Sequence, residues 1–182
     1  MSSSPAQTVT DREQAVTALQ RSLDVYLRTI FSVSEESCRA KLNDECWSII
    51  EVAEHVAVAE HGMYRIIELS TEKTTPTDYV LDKKIVLGGT NRETKRLAPE
   101  KSQPKGRWKT LAECADAFRQ ARVRTLEFAK TAEGLRGKLV QHPALGPMDA
   151  HQCLLVMAVH AERHALQIEE IKNSEAYKSY AE

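Results

Sequence analysis

Apolar and polar residues follow the period of an α-helix in four long segments of this chain. In each segment the apolar side chains recur at spacings of three or four residues, which places them on one helix face. Each segment begins with Thr, Ser or Asp followed three residues later by Glu or Gln, the pattern of a helix capping box. The predicted helices span approximately 10–33, 48–70, 110–134 and 149–172, with Thr10, Ser48, Thr110 and Asp149 as their capping residues.

Four amphipathic helices without a convincing strand predict an all-α fold, a four-helix bundle. The segment 71–109 contains Pro and Gly breaks, a short apolar piece at 79–87 and a polar stretch, so we expect a long connection between helices two and three. This connection is either a binding loop or lid over one end of the bundle, or a tolerated insertion. We expect a flexible tail at 1–9, a single bundle domain at 10–172 and a polar tail at 173–182.

The composition excludes several classes of protein. A formal net charge of -1 without a concentrated basic block disfavours nucleic acid as a partner. No segment approaches the roughly 20 apolar residues of a membrane span, and the N-terminus lacks the apolar core of a signal peptide, so we expect a cytoplasmic protein without a membrane partner. Four scattered cysteines predict reduced thiols rather than a disulfide framework or a zinc cluster: Cys38, Cys46, Cys114 and Cys153.

The apolar stripe of the last predicted helix contains two histidines. His160 and His164 are one turn apart, which places their rings about 6 Å from each other. They are either core histidines with hydrogen-bonding neighbours or two ligands of one metal ion. His55 lies on the inward face of helix two and provides a third imidazole, whereas His61 is rotated by about 240° from it and should be solvated.

Three imidazoles from two helices would bind a divalent ion such as Zn, Ni or Fe and leave coordination positions open for water. Glu51 and Glu54 are the candidate proton acceptors near His55, although Glu51 fits a capping role and Glu54 is rotated by about 100° from the histidine. Three arginines on helix three are expected to be solvated or salt-bridged, with contact to an anionic substrate as the alternative: Arg119, Arg122 and Arg124.

Four short motifs follow one another along the chain, and two of them contain the three histidines. They are Trp47-Ser48-x-x-Glu51-x-x-x-His55, Ala98-Pro99-Glu100 with Pro104-x-Gly106-Arg107-Trp108, His142-Pro143-x-Leu145-Gly146-Pro147, and His160-x-x-x-His164-x-x-Gln167-Ile168. In this order and spacing the chain resembles the DinB-like superfamily of metal-binding four-helix bundles, also called DinB/YfiT-like metalloenzymes. The resemblance covers nearly the whole chain. The second motif, at 98–108, is similar to that of the subgroup with a long link before helix three.

The resemblance implies an up-down-down-up bundle, often a homodimer, that holds a divalent metal through His55, His160 and His164. It also implies a small-molecule substrate. Members are associated with transfer to low-molecular-weight thiols such as bacillithiol or mycothiol, with mycothiol-dependent maleylpyruvate isomerisation and with hydrolysis. The isomerases usually carry a further C-terminal domain, and helix four is followed here only by a short polar tail, which disfavours that reaction.

The sequence leaves three functions open. The first is a metal-dependent enzyme, either a thiol transferase or a hydrolase, and the second is a non-catalytic metal-binding or stress-associated bundle. In the third, the histidines are structural and the protein is an interaction module. The residues also leave open which metal is bound and which group acts as a general base.

Overall fold

A computed structural model of the chain describes residues 5–70, 74–95 and 97–181. These ranges form α-helices, two short antiparallel strands and two single turns of 3-10 helix. The helices are α1 (Pro5–Phe31), α2 (Ile49–Glu68), α3 (Tyr79–Gly88), α4 (Leu111–Thr131), α5 (Ala150–Lys172) and α6 (Glu175–Ala181). The strands are β1 (Leu139–His142) and β2 (Gly146–Asp149), and the 3-10 turns are Ser37–Arg39 and Glu100–Ser102.

The four long helices α1, α2, α4 and α5 form the predicted four-helix bundle. α1 packs against α4 and α5, and α2 packs against the same two helices, so α1 and α2 lie diagonally across the bundle. Their apolar stripes merge into one core, in which Leu19, Ile49, Phe118 and Ile168 are fully buried. None of the helices in the described ranges has the length and apolarity that a membrane crossing requires.

Three of the four predicted helix starts are confirmed by their hydrogen bonds. The Ser48 N–H donates to the Glu51 carboxylate at 2.7 Å at the start of α2. The Thr110 hydroxyl accepts from the backbone of α4. At the start of α5 the Gln152 N–H donates to Asp149 Oδ1 at 2.7 Å, while the Gln152 side chain accepts from the Asp149 N–H. These caps satisfy N–H groups that a helix otherwise leaves unpaired.

The predicted start of the first helix at Thr10 is wrong. α1 begins at Pro5, so Thr10 lies inside the helix. Proline is well tolerated at a first helical position because its missing N–H leaves no intrahelical bond unmade. The predicted tail at 1–9 falls partly on residues 1–4, which lie outside the described residues.

The apolar piece at 79–87 forms α3, which packs against α5. Asp78 caps it by accepting from two backbone N–H groups of its first turn. At its end, a Cβ on Gly89 would lie 2.4 Å from Val159 Cγ2, so only glycine allows the backbone to approach α5 this closely. The connection between α2 and α4 therefore contains a docked helix as well as a loop.

The expectation of no strands is wrong for the segment before α5. β1 and β2 pair in antiparallel register from Leu139↔Asp149 to His142↔Gly146. Each strand has only four residues, too few to show an alternating pattern in the sequence. At the other end of α5, the polar tail continues into α6, and Tyr177 packs against the core.

A buried ion pair lies inside the bundle. Arg122 of α4 and Glu60 of α2 are 0% and 2% exposed, and two guanidinium nitrogens donate to the two carboxylate oxygens at 2.7 and 2.9 Å. The guanidinium also donates to Ser22 Oγ and to the Leu19 carbonyl of α1, and to the Met157 carbonyl of α5. The expectation that Arg122 is solvated or salt-bridged is met by this salt bridge, and the single side chain links all four helices.

Candidate metal centre

Three imidazoles from two facing helices lie together inside the bundle. α2 carries His55, and α5 carries His160 and His164 one turn apart. One ring nitrogen from each histidine lies within 4.8 Å of the other two. His55 Nε2 and His160 Nε2 are 3.2 Å apart. The structure therefore brings together the three histidines that the sequence identified as candidate ligands.

The histidine group lies mostly inside the bundle. His55 and His164 are 4% and 9% exposed, whereas His160 is partly exposed. The ring centroids of each pair of these histidines are 4.5 to 5.2 Å apart. A bound ion would thus be largely enclosed by the bundle.

Hydrogen bonds to the outer ring nitrogens orient two of the imidazoles. His55 Nδ1 donates to the Ser102 carbonyl at 2.8 Å, and His164 Nδ1 donates to Gln167 Oε1 at 2.8 Å. An imidazole that donates from Nδ1 has its lone pair on Nε2, the form that coordinates a metal. His55 Nε2 therefore faces His160 Nε2 as an acceptor at 3.2 Å, so either a proton on His160 Nε2 or a cation lies between the two nitrogens. The donor set therefore fits a divalent ion.

Burial keeps these imidazoles in the neutral form. It lowers the pKa of His55 below the usual value for histidine and that of His160 well below it, and the neighbouring histidines act in the same direction on His160. Burial and the adjacent His55 lower the pKa of His164 to about 3. Near neutral pH all three rings offer a lone pair, as a metal ligand must.

The long connection before α4 lies against the metal centre at two points besides the Ser102 carbonyl. Arg92 donates to Glu170 through two nitrogens at 2.6 and 2.8 Å, and to Gln167 Oε1 at 3.3 Å. Arg163 of α5 donates to the Thr94 carbonyl at 2.7 Å. The connection thus contacts His55 through the Ser102 carbonyl and reaches His164 through Arg92 and Gln167.

The two carboxylates considered as proton acceptors have structural roles. Glu51 caps α2. Glu54 is 2% exposed and accepts hydrogen bonds from the N–H groups of Lys105, Gly106 and Arg107 and from the Arg107 side chain. Although burial acts to raise its pKa, these bonds lower it below the usual value. Glu54 therefore fixes the loop that supplies the Ser102 carbonyl, and both of its oxygens are engaged.

A further histidine is placed as expected. His61 is exposed, with its Nδ1 3.4 Å from Arg124, and it lies outside the cluster. Trp47 packs beside the start of α2, with its ring centroid 4.9 Å from that of His55. The four cysteines are unpaired in the structure and none belongs to the histidine group.

Two supporting groups were missed from the sequence. Gln167 was part of a recognised motif, and its position three residues after His164 was the available signal for a contact on the same helix face. Ser102 contributes a backbone carbonyl, which any residue type has, so the identity of residue 102 does not indicate this contact. Such contacts hold metal-ligating histidines in one orientation.

The fold is a four-helix bundle with a group of three histidines inside it, and sequence comparison identifies the family. Residues 18–168 match the DinB superfamily, and the chain belongs to this family. No curated protein matches the chain significantly. Among solved structures it is similar to YfiT from Bacillus subtilis, described as a probable metal-dependent hydrolase with an unusual four-helix bundle topology. The TM-score is 0.63 at 16% identity, with 94% of this chain and 89% of YfiT covered, so this similarity shows a shared fold.

Proposed function

We propose that this protein is a divalent-metal-dependent hydrolase of the DinB superfamily, with His55, His160 and His164 as the metal ligands. The observation that carries the proposal is the cluster itself: three buried or half-buried ring nitrogens within 4.8 Å, two of them on imidazoles fixed by acceptors at the opposite nitrogen. The description of YfiT as a probable metal-dependent hydrolase supports the same reaction class.

A bound ion would supply Lewis-acid chemistry, polarising a substrate oxygen and lowering the pKa of a water molecule at an open position. The residues of the chain hold and orient that site. The Ser102 carbonyl and Gln167 fix the His55 and His164 rings, while the partly exposed His160 marks the side from which a small-molecule substrate would enter. Three neutral nitrogen ligands accept zinc, nickel or iron, so the metal has to be identified by analysis.

The remaining implications of the family resemblance stay predictions. They are transfer to a low-molecular-weight thiol, assembly as a homodimer, an up-down-down-up helix order and a cytoplasmic location. A non-catalytic metal-binding bundle is the alternative function. It would retain the ion and turn over no substrate.

The test is a screen of ester, amide and thiol-transfer substrates with tag-free protein reloaded with zinc, nickel or iron. We expect hydrolysis that one of these metals restores and that His160→Ala abolishes. His61→Ala should retain the activity, because His61 is exposed and lies outside the histidine cluster. If activity requires a thiol, the reaction is transfer to the thiol and not hydrolysis. Metal binding without turnover would favour the non-catalytic alternative.

A further inference from the structure

A concave surface lies beside the start of α2. Its volume is about 430 Å³, within the range of roughly 300–1,000 Å³ that is typical of small-molecule sites. One wall is the end of the first 3-10 turn and the residues after it, with Arg39 and Lys41. The floor is the first two turns of α2, and the other wall is the stretch 104–109 with Lys105 and Lys109. We call this surface the basic cleft.

The carboxylates of the basic cleft are already engaged. The Glu51 carboxylate accepts from Lys41 Nζ at 3.1 Å and from the N–H of the residue that caps α2. Glu54 is occupied by backbone N–H groups and by Arg107. Glu51 also accepts from a free N–H group at the start of α2. A ligand of the cleft would therefore be attracted by the cationic side chains and not by the helix terminus.

Three cations of the cleft form no salt bridge among the residues that the structure describes. They are Arg39, Lys105 and Lys109, and all three are exposed. Lys109 Nζ donates to the Gly106 carbonyl at 3.2 Å, and the nearest negative charge to it is Glu113, whose carboxylate accepts from the Lys109 N–H at 2.6 Å. The partly buried Trp108 adds an aromatic surface between the two lysines of this wall. Cations on both walls of one concave surface suit a ligand with more than one negative group.

We propose that the basic cleft binds a small organic anion carrying at least two carboxylate or phosphate groups, with Arg39 on one side and Lys105 and Lys109 on the other. The lysine ammonium groups act as point charges, while the Arg39 guanidinium is able to bind one anionic group through two nitrogens. This site is separate from the histidine cluster in its residues, and the inference does not rest on the proposed hydrolase activity.

The same stretch of chain serves both sites. It supplies the Ser102 carbonyl to His55 and, a few residues later, the wall of the cleft. Glu54 lines the cleft and holds this stretch through three backbone N–H groups. A ligand in the cleft would therefore contact a segment that Glu54 already holds in place, so little ordering would be needed on binding.

The experiment is a titration of the full-length protein followed by amide and indole NMR signals. The probes are succinate and inorganic phosphate, each added at constant ionic strength with chloride as the balance, because exposed charges also respond to salt alone. Succinamide, which has a similar size and no charge, is the control ligand. We expect saturable shifts at Lys105, Gly106 and the Trp108 indole with succinate or phosphate, and none with succinamide. The tighter probe identifies the preferred anionic group.

A variant pair tests the assignment. Arg39→Ala combined with Lys105→Ala removes one exposed cation from each wall, and both changes should leave the fold intact. The double variant should bind the probe about tenfold more weakly. Lys130→Ala, in the last turn of α4 and far from the cleft, should bind it unchanged. Equal affinity of the double variant, equal shifts with succinamide, or shifts confined to signals around the histidines would each overturn the proposal, whether or not the protein binds a metal.

Discussion

Replacing Glu54 by Gln should loosen the loop that orients His55. A glutamine retains one oxygen, which can still accept from Gly106 and Arg107 N–H groups, while its amide NH₂ then faces the donors of Lys105 N and the Arg107 side chain. Two hydrogen bonds to a charged acceptor become donor–donor contacts, and each is worth about 1.5–3 kcal/mol. Arg107 is 33% exposed and regains water, so we expect a loss of about 2–4 kcal/mol.

This loss should be measured at two pH values by thermal and urea unfolding. At pH 7 the Tm should fall by about 5–15 °C. The folded-state pKa of Glu54 is lowered below its usual value of 4.5, so its contribution is present above about pH 4.5 and is lost as the pH falls through the folded pKa. The difference between the wild type and Glu54→Gln should therefore shrink as the pH falls below 4.5 and the wild-type carboxylate becomes protonated.

The same substitution should weaken metal binding. The Ser102 carbonyl belongs to the loop that Glu54 holds, and losing such outer support typically costs about 10- to 100-fold in metal affinity. Glu68→Gln is the matched control, because Glu68 lies on the same helix, is 48% exposed and forms a long ion pair with Arg65 at 3.6 Å. Glu54→Gln with the stability and zinc affinity of Glu68→Gln would refute the reasoning.

Three further changes follow from the same contacts. Gln167→Leu removes the acceptor of His164 Nδ1, so zinc affinity by chelator competition should fall about tenfold or more, with the Tm of the metal-free protein nearly unchanged. Glu60→Gln leaves the buried Arg122 guanidinium without its carboxylate, so the unfolding free energy in urea should fall by about 3–5 kcal/mol. Burial lowers the pKa of His164 to about 3 and that of His151 to about 4, so below about pH 6.5 the unfolded chain binds protons that the native chain does not. The unfolding free energy of metal-free protein should fall between about pH 6.5 and 4, by up to about 1.4 kcal/mol per pH unit for each histidine.

Each of these predictions has an outcome that contradicts it. Unchanged zinc affinity in Gln167→Leu would mean that its hydrogen bond does not orient the ring. A loss below about 1 kcal/mol in Glu60→Gln would mean that water reaches the ion pair. Stability of the metal-free protein that does not change between pH 6.5 and 4 would mean that the buried histidines are protonated in the folded state.

The parts of the fold that depend on local sequence were predictable. Ser48, Thr110 and Asp149 each form a hydrogen bond with a capping partner three residues later. Neighbouring positions are therefore enough to predict where these helices begin. The strands β1 and β2 are stabilised by pairing with each other and are too short to show a pattern of their own. The meeting of the three histidines was predictable because their positions on two helices place them on inward faces.

The supporting contacts were not predictable for a related reason. The burial of Arg122 is favourable because of Glu60, 62 residues earlier in the chain, and of further acceptors on α1 and α5. His55 depends on a carbonyl 47 residues later in a loop without a periodic pattern. Contacts between residues this distant in sequence depend on how the helices pack, and a single sequence gives no direct signal for them.

Metal analysis of tag-free protein tests the central claim most directly. The wild type reloaded with zinc and passed through a desalting column should retain one ion per chain, and its X-ray absorption spectrum should contain imidazole scattering from about three nitrogen ligands. His160→Ala should lose most of the ion, while His61→Ala should retain it, because His61 is exposed and outside the cluster. An unchanged metal content in His160→Ala, or a wild type that retains no ion, would contradict the assignment of the histidine cluster as a metal centre.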